Sequence, residues 1–519
     1  MRCGPAVQGN GSWVTVRFSL SAPPGKDGGR RAAVRPSAVG RTTALAAAVL
    51  VLVLMVLVIV RLPWVGDLGM HAATVQRLRH SPLDPGNPLV DADTPSPYYS
   101  PWMLLLGIVA RLSGLSVFVV LRLAAVAGLA LLVTGVWRYV RTLSAHRAAP
   151  ALALLSLLLL WGTTAFLWSG FTGLNSLALT VSYPSTFTLG LAFHFWAWLT
   201  GALRREAAWP TWLGLGVLCA VILLCHQFSG VVAGLGAVAT VLAARPRRAV
   251  WPRPAAGLLL GALVLWAWPY YDFYALFGAG AALEDVHRVL YGHPVARYGL
   301  VLLGVAALVP RWRRDRWDPL VLFFALGVLV AGAGWVSGHY SWGRALPAAL
   351  IPAQLAVALE VTGAGRRRLR ACWAVLLGGA LVVGAWAQAG TLGYVLPRGV
   401  LPGVVEDGYR PPWTGYHWIT PWVRYGDVVM AEGRAARQVP AYGPYTVAPG
   451  YPDFFLPDER GRVGATVRYF AEGTSEGVRR GIEREYGVRW VVGRGGWPGG
   501  AGLREVARGP EGEVLYAVP

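Results

Sequence analysis

Long apolar runs separated by short arginine clusters constrain this chain more than any other feature. Ala44–Val60 contains no charged or polar side chain, and comparable runs recur as far as residue 390. A helix needs about 20 apolar residues to cross a hydrocarbon layer, within a range of about 17 to 25. The first run therefore just reaches across, and its flanks matter. Hydrophobic residues make up 55% of the chain and charged residues only 14%, a balance of polytopic membrane proteins and not of soluble domains.

The formal net charge of +21 raises nucleic acid as a partner, and its distribution argues against it. The excess falls between apolar runs, at Arg204-Arg205, Arg245-Pro246-Arg247-Arg248, Arg311–Arg316 and Arg366–Arg370. Arginine in alternate loops follows the positive-inside rule and adds attraction to anionic membrane lipids. Residues 1–43 are rich in Gly, Pro and Arg without an apolar face. They read as a disordered cytosolic segment held inside by Arg30, Arg31, Arg35 and Arg41. The following run is long for a signal-peptide core and lacks an obvious cleavage site, so it reads as a retained first span.

Spans are expected near 44–60, 117–138, 149–168, 186–202, 210–225, 228–244, 255–272, 297–310, 319–336, 345–361 and 371–390, about eleven in all. The apolar stretch 98–113 is shortened by Pro97, Pro101 and Ser113-Gly114. Read as an interfacial helix, it leaves every later arginine cluster inside; read as a span, it inverts them. The first reading puts the amino end in the cytoplasm and the carboxy end outside the plasma membrane. The expected fold is mainly α. It comprises a multi-pass transmembrane domain over 44–390, a first external loop over 61–101, and a small extracytoplasmic α/β domain over 391–519. In the last part, strands are expected at Asp427–Met430, Tyr445–Val447 and Arg489–Val492, with a helix at Gly477–Tyr486. Pro510-Glu511-Gly512 reads as a hairpin turn between Leu503–Arg508 and Glu513–Val518.

The candidate chemistry gathers at the external ends of the spans. Gly66-Asp67-Leu68-Gly69-Met70-His71 follows the first run directly, and residues four apart share a helix face. Asp67 there can take a proton from a hydroxyl within hydrogen-bond reach, with His71 in a supporting role; the plain alternative is that Asp67 caps a short helix. The same loop carries Tyr98-Tyr99 and the triplet Asp91-Ala92-Asp93. That spacing can hold a divalent ion, Mg or Mn, through oxygen ligands; as a polar turn before Thr94-Pro95 it needs none, and the turn carries more weight. His226 marks a tight reversal between two spans. Gly338-His339-Tyr340-Ser341-Trp342-Gly343-Arg344 brings His339 and an arginine to another outer end. Arg344 can grip a phosphate with two donors or snorkel to the headgroups.

No P-loop, HExxH, GxSxG elbow or strand–helix GxGxxG occurs, so no nucleotide or zinc cofactor is expected. Of Cys3, Cys219, Cys225 and Cys372, the last three lie in or beside apolar runs and no CxxC pair occurs, which argues against a disulfide framework.

The first span followed at once by Gly66-Asp67 and His71, then Tyr98-Tyr99-Ser100-Pro101-Trp102, Ser113-Gly114-Leu115-Ser116 and Leu121-Arg122-Leu123, resembles bacterial members of the GT-C superfamily of glycosyltransferases. Later segments also resemble theirs: Gly426-Asp427-Val428-Val429-Met430, Val439-Pro440-Ala441-Tyr442-Gly443 and Tyr486-Gly487-Val488-Arg489-Trp490-Val491-Val492. The resemblance implies a membrane enzyme that takes sugar from a polyprenyl-phosphate-linked donor and passes it to a glycan, lipid or protein acceptor outside the membrane. It implies Asp67 as the base of an inverting displacement and Arg344 on the leaving phosphate.

Departures from the family narrow the acceptor. No WWDYG-like sequence occurs, since Trp268-Pro269-Tyr270-Tyr271-Asp272 is not one. No carboxylate lies in Ser169–Ser185, and Leu68 instead of an acid follows Asp67. These argue against oligosaccharyltransferases and protein mannosyltransferases. A transporter or flippase for a lipid-linked glycan would need paired ionisable groups at the midplane, whereas here they gather at span ends. A non-catalytic role in envelope assembly is the remaining alternative.

Overall fold

The computed structural model describes residues 38–278, 284–363, 367–494, 497 and 502–519. The expected leader over 1–43 lies almost wholly outside these residues. Its last part is helical, because the first helix, α1 (Ala38–Arg61), reaches back before the apolar run.

Helices then follow nearly without pause: α2 (Leu68–His80), α3 (Pro101–Ser113), α4 (Val117–Leu143), α5 (Ala149–Leu159), α6 (Leu174–Thr180), α7 (Pro184–Arg204), α8 (Trp209–Cys225), α9 (Gln227–Ala244) and α10 (Pro252–Trp266). The short α11 (Glu284–His287) and α12 (Pro294–Tyr298) precede α13 (Leu302–Arg314), α14 (Pro319–Ser337), α15 (Pro347–Thr362) and α16 (Arg367–Ala387). Among the described residues, 8 helices are long and apolar enough to cross a membrane, while α3, α5 and α8 are shorter apolar helices. Their outward faces suit lipid: Leu50 is 70% exposed and Val382 is 70% exposed. The chain is a multi-pass membrane protein, and a helix falls within each expected span, 8 of the helices being long enough to cross. The span ending in α15 is the central one, 83% buried by its neighbours.

Two elements refine the expected spans. Helix α3 has 13 residues, about 20 Å of rise, too short for a hydrocarbon layer of about 30 Å. It lies against α2, with Arg111 donating to His80 C=O at 2.9 Å. Helix α5 stops at Leu159 instead of continuing to residue 168. A helix can end inside a membrane protein only where other groups take its last carbonyls. Here the Gln388 amide donates to Leu158 C=O at 3.0 Å, Gln354 to Leu160 C=O at 2.8 Å, and the Thr172 hydroxyl to Leu157 C=O at 3.1 Å. The chain thus unwinds over residues 160–173 and carries Trp168 toward the Asp67 end of the bundle.

The arginine clusters meet at the opposite end. Arg311 pairs with Asp318 at 2.6 Å and with Glu360 at 3.8 Å, and Arg314 also bonds Glu360. Arg204 donates to Thr142 C=O at 3.0 Å, and Arg253 to Glu206 C=O at 2.9 Å.

After α16, α17 (Gly403–Glu406) leads to a mixed α/β region with β1 (Val428–Met430), α18 (Gly433–Gln438), β2 (Tyr445–Thr446), α19 (Glu459–Phe470), α20 (Glu476–Glu485), β3 (Val488–Gly493), β4 (Arg504–Arg508) and β5 (Val514–Ala517). The five strands run in the order β2-β1-β3-β5-β4. The first three are parallel, and β5 is antiparallel to both β3 and β4. The expected hairpin therefore forms, with Arg508 opposite Val514. Val90 of the first external loop bridges in parallel to Thr446, so that loop extends the sheet past β2.

Candidate active site

The loop carrying Asp67 is short and held at both peptide carbonyls before it. Gly66 takes φ +50°, a conformation that favours glycine. The Tyr183 hydroxyl donates to Val65 C=O at 2.6 Å, and the Tyr451 hydroxyl to Gly66 C=O at 2.6 Å. One tyrosine comes from the start of α7 and the other from the α/β region, so Asp67 sits where membrane helices and sheet region join. Asp67 occupies the N-cap position of α2, yet its side chain makes no capping hydrogen bond. The side chain is half-buried and has no cation within ion-pair distance among the described residues.

Two arginines act on Asp67 from different parts of the chain. Burial raises its pKa above the ordinary 3.8, and the Arg344 and then the Arg437 guanidinium pull it back down. Arg344 arrives on the short 3-10 helix Tyr340–Ala345 before α15. Arg437 comes from α18, donates to Gly450 C=O at 3.1 Å and lies 5.2 Å from the Tyr451 ring centre. Its approach depends on Gly69, because a Cβ there would stand 1.9 Å from the Arg437 carbonyl oxygen.

Arg344 is set in an aromatic and imidazole pocket. It donates to His226 Nε2 at 3.1 Å and lies 4.4 Å from the Phe228 ring centre and 5.8 Å from that of Trp168. On the other side of the ring, Nδ1 accepts the Ser229 backbone N–H at 3.1 Å as the N-cap of α9 and lies 2.8 Å from Ser229 Oγ. Trp168 Nε1 is buried without a hydrogen-bond partner among the described residues. On the other side, His71 packs edge-on against Tyr183 with ring centres 4.6 Å apart. Burial pushes its pKa down to about 3, so it stays neutral through the physiological range.

Of the residues singled out from sequence, Asp67, His71, His226 and Arg344 therefore converge. Tyr98 joins their edge: it is half-buried, feels the Asp67 charge and donates to Pro452 C=O at 3.2 Å. Tyr99 stands apart in the loop's own packing, 2% exposed, with its hydroxyl on Gly86 C=O at 2.8 Å. His339 is exposed on the rim, bonded to Ser337 Oγ at 2.9 Å and stacked on Trp342. Asp91 and Asp93 are exposed on a turn closed by Asn87 N–H to Ala92 C=O at 2.8 Å. Among the described residues no group of three or more His, Cys, Asp or Glu side chains gathers in metal-binding range.

Sequence reasoning missed Trp168, Tyr183, Arg437 and Tyr451. It also missed Arg77, which is fully buried and joins α2 to the α/β region. Arg77 donates to Gly443 and Pro444 C=O, both at 2.7 Å, and lies 3.5 Å from the Tyr445 ring centre.

No family model matches the chain, and no curated protein matches it. Solved structures do. The mycobacterial arabinofuranosyltransferase AftD aligns with TM-score 0.55 at 18% identity, covering 92% of this chain and 40% of AftD. The chain thus spans well under half of that protein. ArnT from Cupriavidus metallidurans aligns in the apo state with TM-score 0.52 at 15% identity, covering 92% of this chain and 98% of ArnT. ArnT bound to undecaprenyl phosphate aligns with TM-score 0.52 at 15% identity, covering 93% and 98%. At such identities the likeness is one of fold alone, a fold this chain shares with AftD and ArnT.

Proposed function

We propose that this protein is an inverting membrane glycosyltransferase that moves a sugar from a polyprenyl-phosphate donor to an acceptor hydroxyl outside the plasma membrane. The observation that carries the reading is a half-buried carboxylate, without a side-chain hydrogen bond or contact ion pair among the described residues, under the charge of a caged arginine. Asp67 takes the proton from the acceptor hydroxyl. The acceptor oxygen attacks C1 of the sugar on the face away from phosphate, the C1–O bond to phosphate breaks, and polyprenyl phosphate leaves with the electron pair. Arg344 stabilises the charge on that leaving group through oriented donors. The leaving group departs as an anion, so no general acid is needed. His226 and Phe228 hold Arg344, and Tyr183 and Tyr451 hold the Asp67 loop.

The undecaprenyl phosphate bound by ArnT supports a polyprenyl-phosphate donor here, and membrane lipid is the medium that delivers it. The clustering of arginine at the end opposite Asp67 supports a cytoplasmic amino terminus and an extracytoplasmic sheet region. The acceptor is a glycan, lipid or protein of the cell envelope; nucleic acid has no place at the site.

The test is transfer by the purified protein from a panel of polyprenyl-phosphate sugars, with product anomers read by NMR. Transfer with inversion is expected. Transfer only from nucleotide sugars, or with retained configuration, would overturn the reading.

A further inference from the structure

A cleft lies at the arginine-rich end, on the far side of the bundle from Asp67. It has a volume of about 560 Å³ and is lined by Thr42 and Leu45 of α1, Trp137 and Arg141 of α4, Arg147, and Ala151 of α5. Its floor is apolar and open to the membrane: Leu45 is 51% and Trp137 46% exposed. Its rim is cationic, and none of its lining residues is acidic. Arg141 uses Nη1 on Ala145 C=O at 2.6 Å, which fixes the side chain while leaving its other donors open. Arg147 makes no hydrogen bond or ion pair to any described residue. The neighbouring depression differs, because its Arg311 and Arg314 are neutralised by Asp318 and Glu360.

We infer that this cleft binds one anionic phospholipid of the leaflet at that end, its phosphate between Arg141 and Arg147 and an acyl chain along Leu45 and Trp137. An apolar floor under a cationic rim matches an amphiphile and not a free ion. Arginine donates to phosphate through paired charge-assisted bonds, and tryptophan favours the headgroup level. The amino-terminal segment is a poor competitor for the cleft: residues 1–37 carry Arg2, Arg17, Lys26, Arg30, Arg31 and Arg35 against Asp27 alone, the same sign as the rim.

The experiment is native mass spectrometry of the purified full chain, offered phosphatidylglycerol and phosphatidylcholine of identical acyl chains. Wild type is expected to retain phosphatidylglycerol at least about fivefold over phosphatidylcholine, the order of effect expected of an arginine at an anionic surface. R141Q/R147Q is expected to lose that preference, and R367Q/R368Q, altered at exposed arginines of α16, to keep it. R147Q alone serves where the double variant unfolds, since that side chain supports nothing else. Soluble glycerol phosphate is expected not to displace the lipid. No preference in wild type, an unchanged preference in R141Q/R147Q or R147Q, equal loss in R367Q/R368Q, or displacement by glycerol phosphate would each overturn the inference. All arms are independent of sugar transfer.

Discussion

Arg344 donates to His226 Nε2 across 3.1 Å, and this bond fixes what each residue can do. The imidazole joins the guanidinium on Nε2 to the start of α9 on Nδ1, which accepts the Ser229 N–H at 3.1 Å and lies 2.8 Å from Ser229 Oγ. The guanidinium in turn spends one donor on the ring, while its charge acts on Asp67.

For sugar transfer, R344K is therefore expected to lower kcat roughly 100-fold, since one point charge replaces an oriented fork. H226F is expected to cost about 10-fold, the loss of one hydrogen bond to a charged group. Steady-state kinetics on both variants check this. Equal activity of R344K and wild type would remove Arg344 from the leaving-group side.

The Asp67 environment sets a pH dependence. Burial raises its pKa above 3.8 while Arg344 and Arg437 lower it. A base is lost as pH falls through its own pKa, so the acid limb of kcat/KM should lie above 3.8. R437Q removes one lowering charge and should move that limb to higher pH. A limb that stays in place, or moves down, would show that Arg437 does not act on Asp67.

Arg77 is expected to hold the two parts of the chain together. R77Q leaves the Gly443 and Pro444 carbonyls buried without their donors and should destabilise by about 3 kcal/mol. Thermal unfolding of the purified protein reads it. An unchanged Tm would mean that the α/β region docks without this clamp.

Gly69 is expected to matter through distance alone. G69A places a methyl 1.9 Å from the Arg437 carbonyl oxygen, and the backbone of α18 must move away. A displacement of about 1 Å near reacting groups costs roughly 100-fold in rate. Transfer kinetics of G69A check it, with wild-type activity showing that α18 need not approach α2.

The helices were legible because an apolar run in a chain this poor in charge has few alternatives to a span. Helix α5 was not legible past Leu159. Its early end depends on Gln354 and Gln388, distant residues whose amides cap its carbonyls. Asp67, His226 and Arg344 were legible as polar groups at the ends of apolar runs, where a buried charge needs a reason. Arg437 was not, because an arginine in an arginine-rich polar segment carries no local mark of the carboxylate it acts on. Tyr99 and His339 drew attention by type and place alone. Sequence cannot separate a tyrosine that packs a loop from one that lines a cavity.

Asp67 is the residue on which the proposed chemistry stands, and its asparagine variant separates catalysis from folding. A carboxyl whose folded pKa is raised binds its proton more tightly in the folded state. Stability is therefore lost as pH rises from the ordinary value through the raised one. D67N removes that cost and should melt at the same temperature as wild type at pH 7, or higher. Sugar transfer from a polyprenyl-phosphate donor by membranes containing D67N should fall at least about 1,000-fold, the upper part of the range for a positioned general base. Undiminished transfer by a folded D67N would contradict the assignment of Asp67 as the base.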